Sequence, residues 1–395
     1  MAKELETINV IIAGHIDHGK TTLLQRITGK WADSHSEELK RGITIKLGYA
    51  ETTIYKDQDD FNVEKKGHPI RYVSFIDSPG HEMLMATMLS GAAIVDAAIL
   101  IVAANEGIKP QTREHLLALQ AKKIKNIIIV QNKIDLIPKE KTLENYKEIQ
   151  ALVKDTIAEN SQVIPISAKQ NVNLNQLYKA IANIKIPDRN KKETPLFMVA
   201  RSFDINRPGT SPEKLKGAVL GGTLTQGTLK IGDEIEIKPG IAIKEANQLK
   251  YVPVKTKISS LFKGPESLEE ISPGGSLSIE TELDMALGKT DSLSGCLVSL
   301  INKLPEITNE VKIKYTLFPE IYLGNQNIKV EQIKTTELLM LSVNTAVTIG
   351  QAKKVTGSEI SISLKIPIVP IKTDNIGIAR NINGHWRLIG HGEIL

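Results

Sequence analysis

The sequence predicts an α/β domain, a mainly parallel sheet with helices on both faces, followed by two all-β barrel domains. Three observations carry that reading. Short apolar runs alternate with amphipathic helical stretches through the first half of the chain; a polar segment bounded by Pro187 and Pro195 ends the alternation; and beyond it helical periodicity nearly disappears. The expected domains are residues 1–193, 194–303 and 304–395, a division that suits a chain of 395 residues.

Taken in order, Ile8–Ala13, Val73–Ile76, Ala98–Ala103, Ile127–Gln131 and Val163–Ile166 read as buried strands. Lys20–Thr28, Glu82–Ser90, Thr112–Lys122, Leu143–Glu159 and Leu174–Asn183 read as the helices between and after them. Asp188 to Glu193 is polar and lies between prolines, which marks a linker. Alternating segments follow, such as Thr228–Ile237 and Val254–Leu261. Gly221-Gly222, Gly232-Asp233, Pro239-Gly240 and Pro273-Gly274-Gly275 punctuate them, as expected for antiparallel strands in a closed barrel. A second β region begins near Leu304 with Val311–Leu317 and Glu359–Ile366, and ends in a hairpin turned by Asn383-Gly384.

Composition narrows the class. A chain 41% hydrophobic and 24% charged can bury a core and is not disordered. The net charge of +5 is not gathered in a basic tail, so a nucleic-acid partner would be held by shape and a few placed residues. A single cysteine, Cys296, excludes an intrachain disulfide and fits a reducing, cytoplasmic setting. The first residues carry Lys3, Glu4 and Glu6, unlike a signal peptide, and the most apolar run, Ala97–Ala104, is far too short to span a bilayer. No membrane partner is expected.

Gly14-His15-Ile16-Asp17-His18-Gly19-Lys20-Thr21 has the spacing of a phosphate-binding loop between a strand and a helix. The glycines let backbone N–H groups close round phosphates, and the helix start adds positive potential. Lys20 reaches the outer phosphates and the Thr21 hydroxyl suits Mg²⁺. Asp17, His18, Gly19 and Thr22 complete the expected contact set. Asp77-Ser78-Pro79-Gly80-His81 closes a later strand, where Asp77 can hold the Mg²⁺ shell and the Gly80 N–H can sense a γ-phosphate. Asn132-Lys133-Ile134-Asp135 supplies at Asp135 a carboxylate matched to the guanine N1–H and amine. Ser167-Ala168-Lys169 follows the last strand with backbone groups for the guanine oxygen. Together these make the first domain a P-loop GTPase domain that takes GTP and GDP with Mg²⁺.

On these motifs the chain resembles the translational GTPases. Ser36–Ala50, Met83–Ala92 and Arg201–Thr210 are similar, more narrowly, to the gamma subunit of archaeal and eukaryotic translation initiation factor 2. The resemblance implies a carrier that holds initiator methionyl-tRNA, assembles with alpha and beta subunits, delivers its cargo to the small ribosomal subunit and hydrolyses GTP to GDP. It makes Arg41–Thr44 a first switch, with Thr44 closing on Mg²⁺, and Asp77–His81 a second, with His81 orienting the attacking water. Asp17 and the Gly42 carbonyl would help to hold an additional magnesium ion. The aminoacylated tRNA end is expected between the first two domains, with Tyr49 and Gly217–Thr223 as candidate contacts. The absence of a long N-terminal extension favours the archaeal form.

The family usually carries four cysteines in a zinc knuckle after the first switch. Here Glu51–Arg71 has none, so it is read as a solvated connecting loop without zinc. Of the remaining histidines, His15 and His18 should shape the phosphate loop, and His35, His115, His385 and His391 have no spacing that suggests a metal site. Cys296 is expected in the core, and Met83, Leu84, Met85 and Met88 there rather than against a partner. Two other functions share the machinery: an elongation-factor-like carrier of another aminoacyl-tRNA, and the GTPase subunit of a sulfate-activating enzyme. A selenocysteine carrier should continue beyond Leu395.

Overall fold

A mostly apolar run has to be covered on both sides, and Thr7–Gly14 (β1) is buried throughout at the centre of a sheet. The computed structural model describes residues 5–29, 46–79, 85–245, 248–323, 326–372 and 375–395. The chain divides into two compact units. One comprises Met1–Pro187, Leu317–Glu331 and Ala379–Gly390; the other comprises Asp188–Thr316, Gln332–Ile378 and His391–Leu395.

In the first unit the sheet has seven strands among the described residues. Besides β1 these are β2 (Gly48–Asp57), β3 (Asp60–Asn62), β4 (His68–Asp77), β5 (Ala97–Ala103), β6 (Asn126–Asn132) and β7 (Gln162–Pro165), in the order β3-β2-β4-β1-β5-β6-β7. The five strands from β4 to β7 are parallel, whereas β2 and β3 add an antiparallel edge. The described helices are α1 (Lys20–Thr28), α2 (Met85–Ala92), α3 (Pro110–Ala121), α4 (Lys139–Val153) and α5 (Leu174–Ala182). Ile8, Val10 and Ile12 of β1 share a core with Leu23, Leu24 and Ile27 of α1 and Leu177 and Ile181 of α5. Ile11 points the other way and meets Gly91 of α2, so both faces are covered. Each fully buried aliphatic side chain contributes about 1.5–3 kcal/mol.

Two expectations need correction. Glu51–Arg71 is not a solvated loop: it is most of β2, all of β3 and the start of β4, with Ala50 and Ile54 buried against the sheet. In β2 only Ala50 and Ile54 are buried and the residues between them are half-buried, the pattern of a strand with one covered face. The fourth helix starts at Lys139, not Leu143, and ends at Val153 rather than Glu159. Lys154 leaves helical geometry at ψ 137° and Asp155 takes φ +59°, while Thr156 Oγ1 donates to the Val153 carbonyl and accepts from the Ala158 N–H. Of the expected helix Glu82–Ser90, residues 82–84 lie outside the described residues. Met85 and Met88 are buried in the core.

Beyond residue 187, β8 (Leu196–Phe203), β9 (Val219–Gln226), β10 (Leu229–Lys230), β11 (Glu234–Glu245), β12 (Gln248–Lys263), β13 (Glu266–Leu268), β14 (Glu270–Ile271), β15 (Leu277–Thr281) and β16 (Leu297–Leu300) follow. The order β11-β16-β8-β9-β15-β12, with β12 pairing back onto β11, closes a six-stranded barrel. Its strands cross so tightly that a Cβ at Gly222 would stand 1.9 Å from the Met198 carbonyl oxygen. Cys296 is buried among Phe197, Val199, Ile235 and Ile279. Its thiol donates weakly to the Gly240 carbonyl at 3.8 Å, and burial pushes its pKa up to about 12. The segment after Pro187 is tied to this barrel: the Asn190 carbonyl accepts from Gly227 N–H and Arg189 donates to the Pro273 carbonyl.

The last strands are β17 (Thr308–Leu317), β18 (Glu320–Leu323), β19 (Gln326–Lys329), β20 (Leu338–Val343), β21 (Ala346–Thr356), β22 (Glu359–Ile368), β23 (Asn375–Ile382) and β24 (His385–Ile394). The order β17-β22-β21-β20-β23-β24 forms a second closed barrel, and β18–β19 is a separate hairpin. Asn383 and Gly384 both have positive φ, +54° and +84°, as a two-residue primed turn requires. Among the described residues no helix is long and apolar enough to cross a membrane.

Candidate nucleotide site

The phosphate loop starts where β1 ends. Gly14 has φ +145°, and Gly19, at the start of α1, has φ +94°. A side chain at either would collide, at Gly14 with the Ile101 carbonyl at 2.5 Å and at Gly19 with Asn132 Nδ2 at 2.4 Å. Asp17 sits between them with φ +62° and an exposed side chain. Lys20 is buried and donates to the His15 carbonyl at 2.8 Å, so its ammonium lies across the loop that it is expected to serve. Thr22, on the outer side of the first turn, is exposed.

At the end of β4, buried Asp77 accepts from the Thr21 hydroxyl at 2.8 Å. This brings together two of the five expected magnesium ligands. Both offer hard oxygen, the donor type Mg²⁺ prefers, so the pair fits that ion. Asp17 is not drawn into this pair. Gly42 and Thr44, and the expected switch residues Gly80 and His81, lie outside the described residues.

Asn132 connects the two ends of the site. Its Nδ2 donates to the His18 carbonyl at 3.0 Å and its Oδ1 accepts from Ala168 N–H at 3.1 Å, both buried. Lys133 then takes φ +61° and starts a short 3₁₀ turn, Ile134–Leu136, that leaves Asp135 exposed. Ser167 and Ala168 are buried. Ser167 exchanges backbone hydrogen bonds with Val172, and its hydroxyl accepts from Gln170 N–H, closing the loop whose outer residue Lys169 is exposed.

Three supporting residues escaped the reading of the sequence. Arg26 of α1 donates to the Ala168 and Lys169 carbonyls at 3.3 and 3.1 Å. Glu106 accepts from the Lys133 ammonium at 2.9 Å and stands 3.9 Å from His18 Nε2. Burial would raise the Glu106 carboxyl, but Lys133 outweighs it and holds the pKa below the usual range. His115 Nδ1 accepts from the Gly14 N–H at 2.8 Å. Only Arg26 had a sequence signal, a basic residue in the last turn of the loop's helix; the other two come from the segment after β5. The loop histidines are neutral. Burial lowers His18 to about 4 against the opposing Ile101 carbonyl, and burial followed by Lys20 lowers His15.

Comparisons with known proteins bear on the family of the chain. Residues 5–187 match the Elongation factor Tu GTP binding domain family, and residues 309–394 match Initiation factor eIF2 gamma, C terminal. The translation initiation factor 2 subunit gamma of Methanococcus vannielii is 46% identical, with all of both chains covered. The protein of that name from Pyrococcus furiosus is 48% identical over 98% of this chain and 97% of its own. Among solved structures, a bacterial selenocysteine-specific elongation factor superposes with a TM-score of 0.79 at 23% identity. It covers 99% of this chain, which spans 58% of that structure, and the likeness is one of fold. With a GTP-binding domain at one end, the subunit's own C-terminal domain at the other and near half identity throughout, the chain is a GTPase of the translation initiation factor 2 gamma-subunit family.

Proposed function

We propose that this GTPase is a carrier of initiator methionyl-tRNA, working in the cytoplasm with alpha and beta subunits of the same factor and the small ribosomal subunit. The observation that carries the reading is full-length identity of 46–48% to proteins named as the gamma subunit of initiation factor 2. The domain division 1–193, 194–303 and 304–395 belongs to the same proposal.

Within the first domain, Gly14–Thr22 cradles the phosphates, with the Lys20 ammonium placed to follow the negative charge from the loop to the outer phosphates. Asp135 reads guanine, and Ser167–Lys169 closes over the base edge. Thr21 and Asp77 would hold Mg²⁺, with Thr44, Asp17 and Gly42 as the further proposed ligands; the ion, when bound, offsets charge on the phosphate oxygens. The Gly80 N–H is assigned to the γ-phosphate and His81 to the attacking water, both on sequence grounds. The γ-phosphate is the only chemical difference between GTP and GDP, so it alone can order Thr44 and Gly80 differently in the two states.

The test is titration of methionylated initiator tRNA with the protein and its alpha partner, once with a non-hydrolysable GTP analogue and once with GDP. Affinity should be about 5–150-fold higher in the GTP state, the usual range of such coupling. Equal affinities would sink the switch. Preference for a charged elongator tRNA, or tight binding to a sulfurylase subunit instead, would transfer the chain to one of the competing functions.

A further inference from the structure

Helix α3 carries three consecutive residues that leave it in different directions, because successive side chains are about 100° apart round a helix. His115 reaches the phosphate loop and accepts from the Gly14 N–H at 2.8 Å. Glu114 forms an ion pair with Arg387, and both side chains are nine-tenths buried. The Arg113 guanidinium lies 4.8 Å from the centroid of the Tyr322 ring. Arg387 and Tyr322 come from the stretches Ala379–Gly390 and Leu317–Glu331, which belong to the same compact unit as α3 and the loop.

These contacts are directional, and that separates them from the apolar packing around them. Leu116 and Leu119 bury α3 against its neighbours but tolerate small rotations of the helix. A buried guanidinium–carboxylate pair does not, since separating it strands charge in a dry environment. The Gly14 N–H is equally demanding. It is buried, its residue is backed by the Ile101 carbonyl, and without an acceptor it would stand unsatisfied. Burial, followed by Lys20 and His15, lowers His115 to about 3, so the ring is neutral and can offer its Nδ1 lone pair.

We propose that His115 is a positioning residue for the phosphate loop, and that α3, clamped through Glu114 by Arg387, is the lever by which residues 379–390 set the rate of nucleotide release. A ligand or protein that displaces Arg387 frees α3 to move, the Gly14 N–H loses its acceptor, and the loop relaxes its hold. The inference rests on Gly14–Thr22 being the phosphate cradle.

The experiment measures dissociation of a fluorescent GDP from the full chain, chased with unlabelled GDP at constant Mg²⁺, beside each variant's unfolding midpoint. Slow release from the wild type tests the cradle; absence of binding would overturn cradle and lever together. His115→Leu should speed release roughly five- to fiftyfold, and His115→Asn, whose Oδ1 can stand where Nδ1 stood, should recover most of it. Arg387→Met should also speed release, and the His115→Leu, Arg387→Met double variant should be no faster than the faster single one within about twofold. If Arg387→Met folds poorly, the Glu114→Gln, Arg387→Met pair removes the clamp without stranding a charge and should give the same acceleration. The positioning role fails if His115→Leu releases GDP at the wild-type rate, or if Asn rescues no better than Leu. The lever fails if both clamp variants keep the wild-type rate, or if the combined effects simply multiply.

Discussion

At the phosphate end of the proposed nucleotide site the groups expected to meet the ligand are mostly backbone, and buried neighbours fix them: Gly14 by His115 and the Ile101 carbonyl, His18 by Asn132. At the base end the proposed discriminating group is the carboxylate of Asp135, exposed on a three-residue turn, with half-buried Lys133 held from one side by Glu106. The difference follows from what each end has to do. Nucleoside di- and triphosphates share the α- and β-phosphates, so a rigid cradle for those costs no versatility and gains preorganisation. Selecting a base needs one group matched to one hydrogen-bonding edge, and that group can stay in water until the base arrives. Asn132 holds the two ends in register through its two buried hydrogen bonds.

That contrast can be broken most severely at its junction. Asn132→Ala should strand the His18 carbonyl and the Ala168 N–H at a cost of about 1–3 kcal/mol each, weakening GDP at least thirtyfold. The loss should be equal for GDP and xanthosine diphosphate, as competition binding would show. Asp135→Asn should weaken GDP by roughly ten- to hundredfold, the worth of hydrogen bonds to a charged acceptor, while xanthosine diphosphate gains. Parallel losses for both nucleotides would remove Asp135 from base recognition.

The smallest effect is on stability and comes from the phosphate end. His18 and His115 titrate near 4 and 3 when folded, against 6.5 for the free side chain. In both cases burial excludes the proton, so the unfolded chain binds more protons below pH 6.5 and stability falls as pH drops through that window. Each histidine contributes a slope that approaches about 1.4 kcal/mol per pH unit near pH 5 and becomes small above pH 7. Unfolding midpoints between pH 7 and pH 5 should therefore fall, and His115→Asn should remove a substantial part of this histidine-dependent slope. An unchanged slope would mean that the His115 ring takes up its proton while folded.

The sequence made the contiguous chemistry legible. Gly14–Thr21, Asn132–Asp135 and Ser167–Lys169 each compress a local geometry into a few neighbouring residues, and α1 occupies the predicted Lys20–Thr28. What supports them was hidden by separation. His115 lies 101 positions from Gly14, and nothing near it announces an acceptor for a buried amide. Glu106 reads as one more charge in a loop until the fold brings Lys133 beside it. The strands through Glu51–Arg71 are less legible, because Ala50 and Ile54 are the only buried residues of β2 and half-buried Thr52 between them blurs the alternation. The end of α4 at Val153 was missed because its stop is a Thr156 side-chain turn rather than glycine or proline.

Cys296 has a practical consequence of another kind. Its thiol is buried in the first barrel, and its pKa near 12 leaves almost no thiolate at neutral pH. The chain contains no other cysteine. One cysteine introduced at an exposed site would therefore be the sole fast-reacting handle for a maleimide dye, with no need to delete the native residue and reopen a packed core. A pair of such handles would let distances within the protein be followed by energy transfer as GTP is exchanged for GDP.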